Sequence, residues 1–185
     1  DSGDALTTGS DGSIYIAGTT SGDLDGKTNA GSSDVFISKF KSDGSQEWIG
    51  LLGTSSYDVV KALTTGSDGS IYIAGTTSGD LDGKTNAGGT DAFISKFKTD
   101  GTKEWTKLLG SESYDYGYAL TTGIDGAIYI AGYTSGDLNG QNNAGSNDAF
   151  ISKFKTDGTK EWTKLLGSDS YASGLALTTG IDGAI

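Results

Sequence analysis

An all-β fold assembled from β-propeller blades is what this sequence predicts, on three observations. The segment Ala5-Leu6-Thr7-Thr8-Gly9 returns at Ala62, Ala119 and Ala176, a step of 57 residues each time. Each 57-residue unit holds four short β-type runs. Asp-Gly pairs separate those runs, and Asp-Gly between two such runs is a strong hairpin signal. A repeat of this length points to a solenoid, a propeller or an array. Four antiparallel strands per unit match a propeller blade. A β-solenoid competes, but its coils are usually shorter and lack paired Asp-Gly hairpins.

Within the first repeat, one strand is expected over Asp4 to Thr8. Ser10-Asp11-Gly12-Ser13 then turns the chain, and a type I′ turn with positive φ at both central residues is expected there. The second strand covers Ile14 to Thr19, with Ile14 and Ile16 on one side and Tyr15 and Ala17 on the other. Both faces of a blade pack on neighbours, so apolar residues on both sides fit the fold. A polar loop follows from Thr20 to Ser33. The third strand is expected over Val35 to Lys41, and Asp43-Gly44 leads to the fourth, Glu47 to Leu52. Helical periodicity is absent over any useful length.

Three complete repeats cover residues 1–57, 58–114 and 115–171, and residues 172–185 restart the unit. Propellers typically close with 4 to 8 blades. Three and a quarter repeats therefore leave blade faces to be covered by further blades of a longer chain or by other copies joined head-to-tail. The chain contains no Met and opens inside a repeat, so a piece of something longer is expected. Near-identity of the repeats reflects recent duplication or design.

Composition limits the chemistry. There is no Cys, hence no disulfide, and no His, which removes the commonest acid–base group. A net charge of −11 repels phosphate backbones, so nucleic acid is not an expected partner. No run approaches the ~20 apolar residues of a membrane helix, so no membrane insertion is expected. The acidity suits solubility or an affinity for hard cations.

The ordered pattern Ala-Leu-Thr-Thr-Gly-Ser-Asp-Gly-Ser-Ile-Tyr-Ile-Ala-Gly, then Gly-Gly-Thr-Asp-Ala-Phe-Ile-Ser-Lys-Phe, then Asp-Gly-Thr-Lys-Glu-Trp, resembles the bacterial SBBP-type β-propeller repeat. The resemblance covers essentially the whole chain. It implies a propeller, often of seven blades, in large secreted or cell-surface proteins, and no enzymatic activity. An extracellular or cell-surface location is expected on that basis.

The candidate metal site is the acidic loop: Asp23, Asp25, Asn29 and Asp34 in the first repeat, Asp80, Asp82, Asn86 and Asp91 in the second, and Asp137, Asn139, Asn143 and Asp148 in the third. Oxygens at loop positions 1, 3, 7 and 12 overlap the spacing of a calcium loop. Lys27 stands where a ligand belongs, Gly26 is displaced and no helices flank the loop, so this is no EF-hand. Two readings stay open. The loop binds calcium weakly, on the order of 10⁻⁴ to 10⁻³ M, or its Asp and Asn side chains bond their own backbone as Asx-turns.

Trp48, Trp105 and Trp162 suit packing between blades, or stacking on a ligand if exposed. Tyr57, Tyr114 and Tyr171, at the corners between repeats, either cap the core or line a groove. Catalysis has little support, because an active site needs one asymmetric constellation and nearly everything here recurs; a glycosidase-type carboxylate pair stays open. Two functions are expected: a structural or adhesive scaffold, or a multivalent module with one equivalent site per blade for a glycan or a surface protein, possible calcium included.

Overall fold

The computed structural model describes residues 1–185 and contains twelve strands and no helix. They are β1 (Ser2–Thr8), β2 (Ile14–Thr20), β3 (Asp34–Phe40), β4 (Gln46–Leu52), β5 (Asp58–Thr65), β6 (Ile71–Thr77), β7 (Asp91–Phe97), β8 (Lys103–Leu109), β9 (Asp115–Thr122), β10 (Ile128–Thr134), β11 (Asp148–Phe154) and β12 (Lys160–Leu166). Each consecutive set of four forms one antiparallel meander. These three sheets are propeller blades, and they do not close into a ring.

The Ile-Tyr-Ile-Ala run explains how blades stack. Side chains alternate across a strand, so β6 sends Ile71 and Ile73 to one neighbour and Tyr72 and Ala74 to the other. Ile71, Ile73 and Phe93 share a core with Tyr15, Ala17, Val35 and Ile37 of the first blade. Tyr72, Ala74 and Ile94 share a second core with Ile128, Ile130 and Phe150 of the third. Every residue of β6 and β7 is therefore buried, and each core is a layer between two blades.

The innermost strands of successive blades, β1, β5 and β9, pack against one another. A threonine ladder links their ends. The hydroxyls of Thr65, Thr122 and Thr179 donate to the carbonyls of Thr8, Thr65 and Thr122 in the preceding repeat. Residues 172–185 carry no assigned strand but follow the inner-strand path beside the third blade. There the Gly174 N–H donates to Gly132 O at 3.0 Å, and Gly180 to Ala184 close the next turn.

The strands differ from the sequence expectation at their ends. β1 begins at Ser2, and β3 begins at Asp34, ahead of Val35. The turn type also differs. In residues 9–13 only Gly12 has positive φ, at 80°; Asp11 does not. Gly9 N–H donates to Ser13 O and Gly12 N–H to Gly9 O, the pattern of a type I turn closed by a glycine bulge. Asp11 contributes its carboxylate, which accepts the Ser13 N–H at 3.0 Å. An Asp that bonds forward in this way holds the turn without entering the left-handed region.

Glycine is also required in the middle of the second strand. A Cβ on Gly75 would lie 1.9 Å from the Val59 carbonyl oxygen, where the irregular register of β5 brings its backbone close.

Candidate binding site at the loop end of the blades

The meander gives every blade two ends. The turn end carries the two Asp-Gly turns. The loop end carries the start of the inner strand, the loop between the second and third strands, and the corner joining one repeat to the next.

The predicted metal residues all lie at the loop end, and their partners are mostly the loop itself. Asp23 accepts the Asn29 N–H at 2.9 Å. Asn29 donates its amide to Thr20 O and accepts the Gly31 N–H. Asp34 accepts the Ala30 N–H at 2.8 Å. Asp80, Asn86 and Asp91 repeat these bonds, as do Asp137, Asn143 and Asp148. Asp25, Asp82 and Asn139 have positive φ and precede Gly26, Gly83 and Gly140, which do too. Leu24 and Lys27 exchange both backbone hydrogen bonds across the first of these pairs. The two-residue turn with two positive φ values therefore sits inside the loop, not at the predicted hairpins. Asp82 and Asn139 also meet the ammonium groups of Lys103 and Lys160. No three acidic side chains gather around one point.

Beneath this loop lies a row of buried aspartates. A parallel bridge between Ser33 and Tyr57 places Asp34 beside Asp58, the first residue of the next blade. The bridge of Thr90 with Tyr114 does the same for Asp91 and Asp115. Asp58 accepts the N–H and hydroxyl of Thr54 at 2.6 and 2.8 Å, and Asp115 those of Ser111. One oxygen of Asp34, Asp58, Asp91, Asp115 and Asp148 is buried without a hydrogen bond. Burial raises the carboxyl pKa of Asp34, Asp91 and Asp115 above its ordinary value. The Ala30 and Ala87 N–H groups oppose this at Asp34 and Asp91, and the neighbouring Asp58 and Asp115 charges add to it. At Asp115 the opposition comes from the Thr134 hydroxyl and Ser111.

Above the aspartates, clefts open between blades. One of about 300 Å³ is lined by Asp1, Ser2, Asp4 and Thr19 of the first blade and by Tyr57, Val59 and Lys61. Another of about 200 Å³ is lined by Val59, Lys61 and Thr76 of the second blade and by Tyr116 and Tyr118 of the third. Tyr57 borders both; it and its equivalents Tyr114 and Tyr171 are 54%, 52% and 59% exposed. The corner tyrosine thus lines a groove. The third blade adds a cluster that the others lack. Tyr133 lies 4.8 Å from Tyr116, 5.8 Å from Tyr118 and 5.8 Å from Tyr171, between ring centroids.

Trp48 and Trp105 are blade-to-blade staples, whereas Trp162 is exposed. The indole N–H of Trp48 donates to Thr99 O in the second blade at 3.0 Å, and that of Trp105 to Thr156 O in the third at 3.2 Å.

Sequence reasoning based on what recurs missed the tyrosine cluster. The signal lies in what fails to recur. Only four positions hold three different residues in the three repeats: Ser2/Val59/Tyr116, Asp4/Lys61/Tyr118, Ser33/Thr90/Asn147 and Ser55/Glu112/Asp169. All four are at the loop end.

Comparison with known proteins agrees with the blade architecture. A β-propeller repeat family, SBBP, matches residues 47–82 and 104–139. A β-propeller domain of unknown function, DUF5122, matches residues 9–47 and 66–104. The chain is similar to the regulatory protein FlaEY of Caulobacter vibrioides, 34% identical over 168 residues, covering 82% of this chain and 18% of that protein. It is also similar to an uncharacterized WD repeat-containing protein of Acanthamoeba polyphaga mimivirus, 25% identical over 179 residues, covering 72% of this chain and 13% of that protein. The chain thus spans less than a fifth of the length of either relative.

Proposed function

This chain belongs to the β-propeller repeat proteins, and from that premise we propose that it is a non-enzymatic binding module whose ligand surface is the loop end of its blades. One observation carries the proposal. Every position that holds three different residues in the three repeats lies at the loop end, and three of those four positions line the inter-blade clefts. Side chains that only held the array together would have no reason to take three different chemistries at those positions. The clefts are chemically unequal: Asp1 and Asp4 make the first acidic, and Tyr116 and Tyr118 make the second aromatic. Binding is therefore cleft-specific rather than one identical site per blade. A non-enzymatic role fits the ionic clusters too. Lys39 with Glu47 and Asp11, Lys96 with Glu104 and Asp68, and Lys153 with Glu161 and Asp125 repeat one arrangement in each blade, so none is singled out for chemistry.

The test exploits the repeats as donors of tolerated residues. The chain is screened against a glycan array and a displayed peptide library, beside a variant carrying first-repeat residues at the cleft between the second and third blades (Tyr116→Ser, Tyr118→Asp). Ligands retained by the wild type and lost by the variant are expected. Ligands that bind both equally would overturn the assignment to this cleft, and no ligand at all would overturn the binding reading.

A second reading is favoured by the outer face of the first blade. Leu6 is 65% exposed there, whereas its equivalent Leu63 packs against the core between the first two blades. A further blade, from a longer array or from another copy joined head-to-tail, would cover it, and the module would then also be a scaffold. Concentration-dependent association in sedimentation is expected for joined copies; a monomer at every concentration would exclude them.

A further inference from the structure

We propose that the tyrosine-lined cleft between the second and third blades binds a neutral saccharide, which deepens the binding reading above and rests on it. The position held by Ser2 in the first repeat and Val59 in the second is Tyr116 in the third; the one held by Asp4 and Lys61 is Tyr118; the one held by Thr19 and Thr76 is Tyr133. Three changes to one residue type, on two paired strands, bring their rings into mutual contact. Packing of the blade does not demand them, because the same positions fold with Ser, Asp and Thr in the first blade. The tyrosines are half-buried, so each ring is fixed in place and still reachable.

The chemistry selects the ligand. An aromatic face is electron-rich, and the axial C–H bonds of a sugar ring carry the complementary small positive charge. The cleft is rimmed by hydroxyls that both donate and accept hydrogen bonds: Thr76, Ser78 and Thr90, with the last two 3.2 Å apart. Burial raises the pKa of Tyr116 and Tyr133, with the neighbouring phenols adding to it, so these two keep their protons. Lys61 is the only charged side chain lining the cleft, and the rest of the lining is rings, hydroxyls and Val59, a surface that suits an uncharged ligand in a chain of net charge −11. Size disfavours an extended peptide, which docks along a groove; a cleft of about 200 Å³ is small for a ligand site and suits one ring.

The experiment uses the full chain and an array of neutral oligosaccharides of glucose, galactose, mannose and N-acetylglucosamine, followed by calorimetric titration of those that bind. Tyr116→Ser with Tyr118→Asp is expected to weaken binding about tenfold or more, as loss of stacking on two rings implies. Tyr118→Phe, which keeps the ring, is expected to retain binding within about threefold and guards against misfolding of the double variant. Ile124→Ser with Ala127→Ser places second-repeat residues at the turn end and is expected to leave binding unchanged. Failure of every saccharide to bind at millimolar concentration overturns the proposal, as does saccharide binding indifferent to the tyrosines. Peptide binding that depends on the tyrosines overturns the saccharide assignment and leaves the binding reading standing. Absence of any ligand overturns both.

Discussion

At the turn end of the blades, Asp11, Asp68 and Asp125 each accept a backbone N–H two residues on and hold a turn around a following glycine. At the loop end, one inner-strand position is occupied by Asp4, Lys61 and Tyr118. The turn end varies too, as at Ser10, Ser67 and Ile124, but none of its positions holds three different residues, whereas four loop-end positions do. Geometry explains the difference. A turn-end residue must satisfy a positive φ, a forward hydrogen bond or an ion pair. A residue beside a cleft needs only to fit a strand that is open on one side. The loop end is not free everywhere, however. Its buried aspartates Asp34, Asp91 and Asp148, and the paired Asp58 and Asp115, do not change. Variation is confined to the side chains that stand above them.

The largest expected effect belongs to neither end but to the layer that both depend on. Phe93 is fully buried in the core between the first and second blades. Phe93→Ala is expected to cost ~3–5 kcal/mol in denaturant unfolding. A cost below about 1 kcal/mol would mean that this layer is not the foundation of the array.

A smaller effect separates the two ends by sign. The Ala127 N–H, then Lys153, hold the Asp125 carboxyl below its ordinary pKa. That group stabilises the fold above the unfolded value of 3.8, and the contribution is lost as pH falls through its folded pKa. Burial raises Asp115. Its ionisation therefore opposes folding, and the cost appears as pH rises above 3.8 through its folded pKa. Asp115→Asn is expected to gain stability relative to the wild type as pH rises, and Asp125→Asn to fall below the wild type as pH rises, the two converging at the lowest pH. Melting temperatures measured across pH check both, and parallel profiles for the two variants would erase the distinction between the ends.

Much of the architecture was legible in the sequence because it is local. The alternation Ile14-Tyr15-Ile16-Ala17, the Asp-Gly turns and the 57-residue step together specify strands and blades. The turn types were harder. Asp-Gly serves two geometries here, and backbone φ and hydrogen bonding distinguish the bulged turn at Asp11-Gly12 from the two-residue turn at Asp25-Gly26. The candidate site was less legible still. Pairing of Asp34 with Asp58 depends on the bridge of Ser33 with Tyr57, 24 residues apart, which sets aspartates of two repeats side by side. The tyrosine cluster depends on the register that sets Tyr133 opposite Tyr116. Asp23, Asn29 and Asp34 fit an oxygen pattern suited to calcium, yet the same atoms also satisfy loop N–H groups. Spacing alone does not separate those uses.

The most direct measurement is an NMR titration of the chain with whichever saccharide or peptide the screens return. Amide shifts confined to the loop end, around Tyr57 to Lys61, Thr76 to Ser78 and Tyr114 to Tyr118, are expected. Shifts concentrated instead at the turns of Asp11 to Ser13, Asp68 to Ser70 and Asp125 to Ala127 would contradict the assignment of binding to the diverged end of the blades.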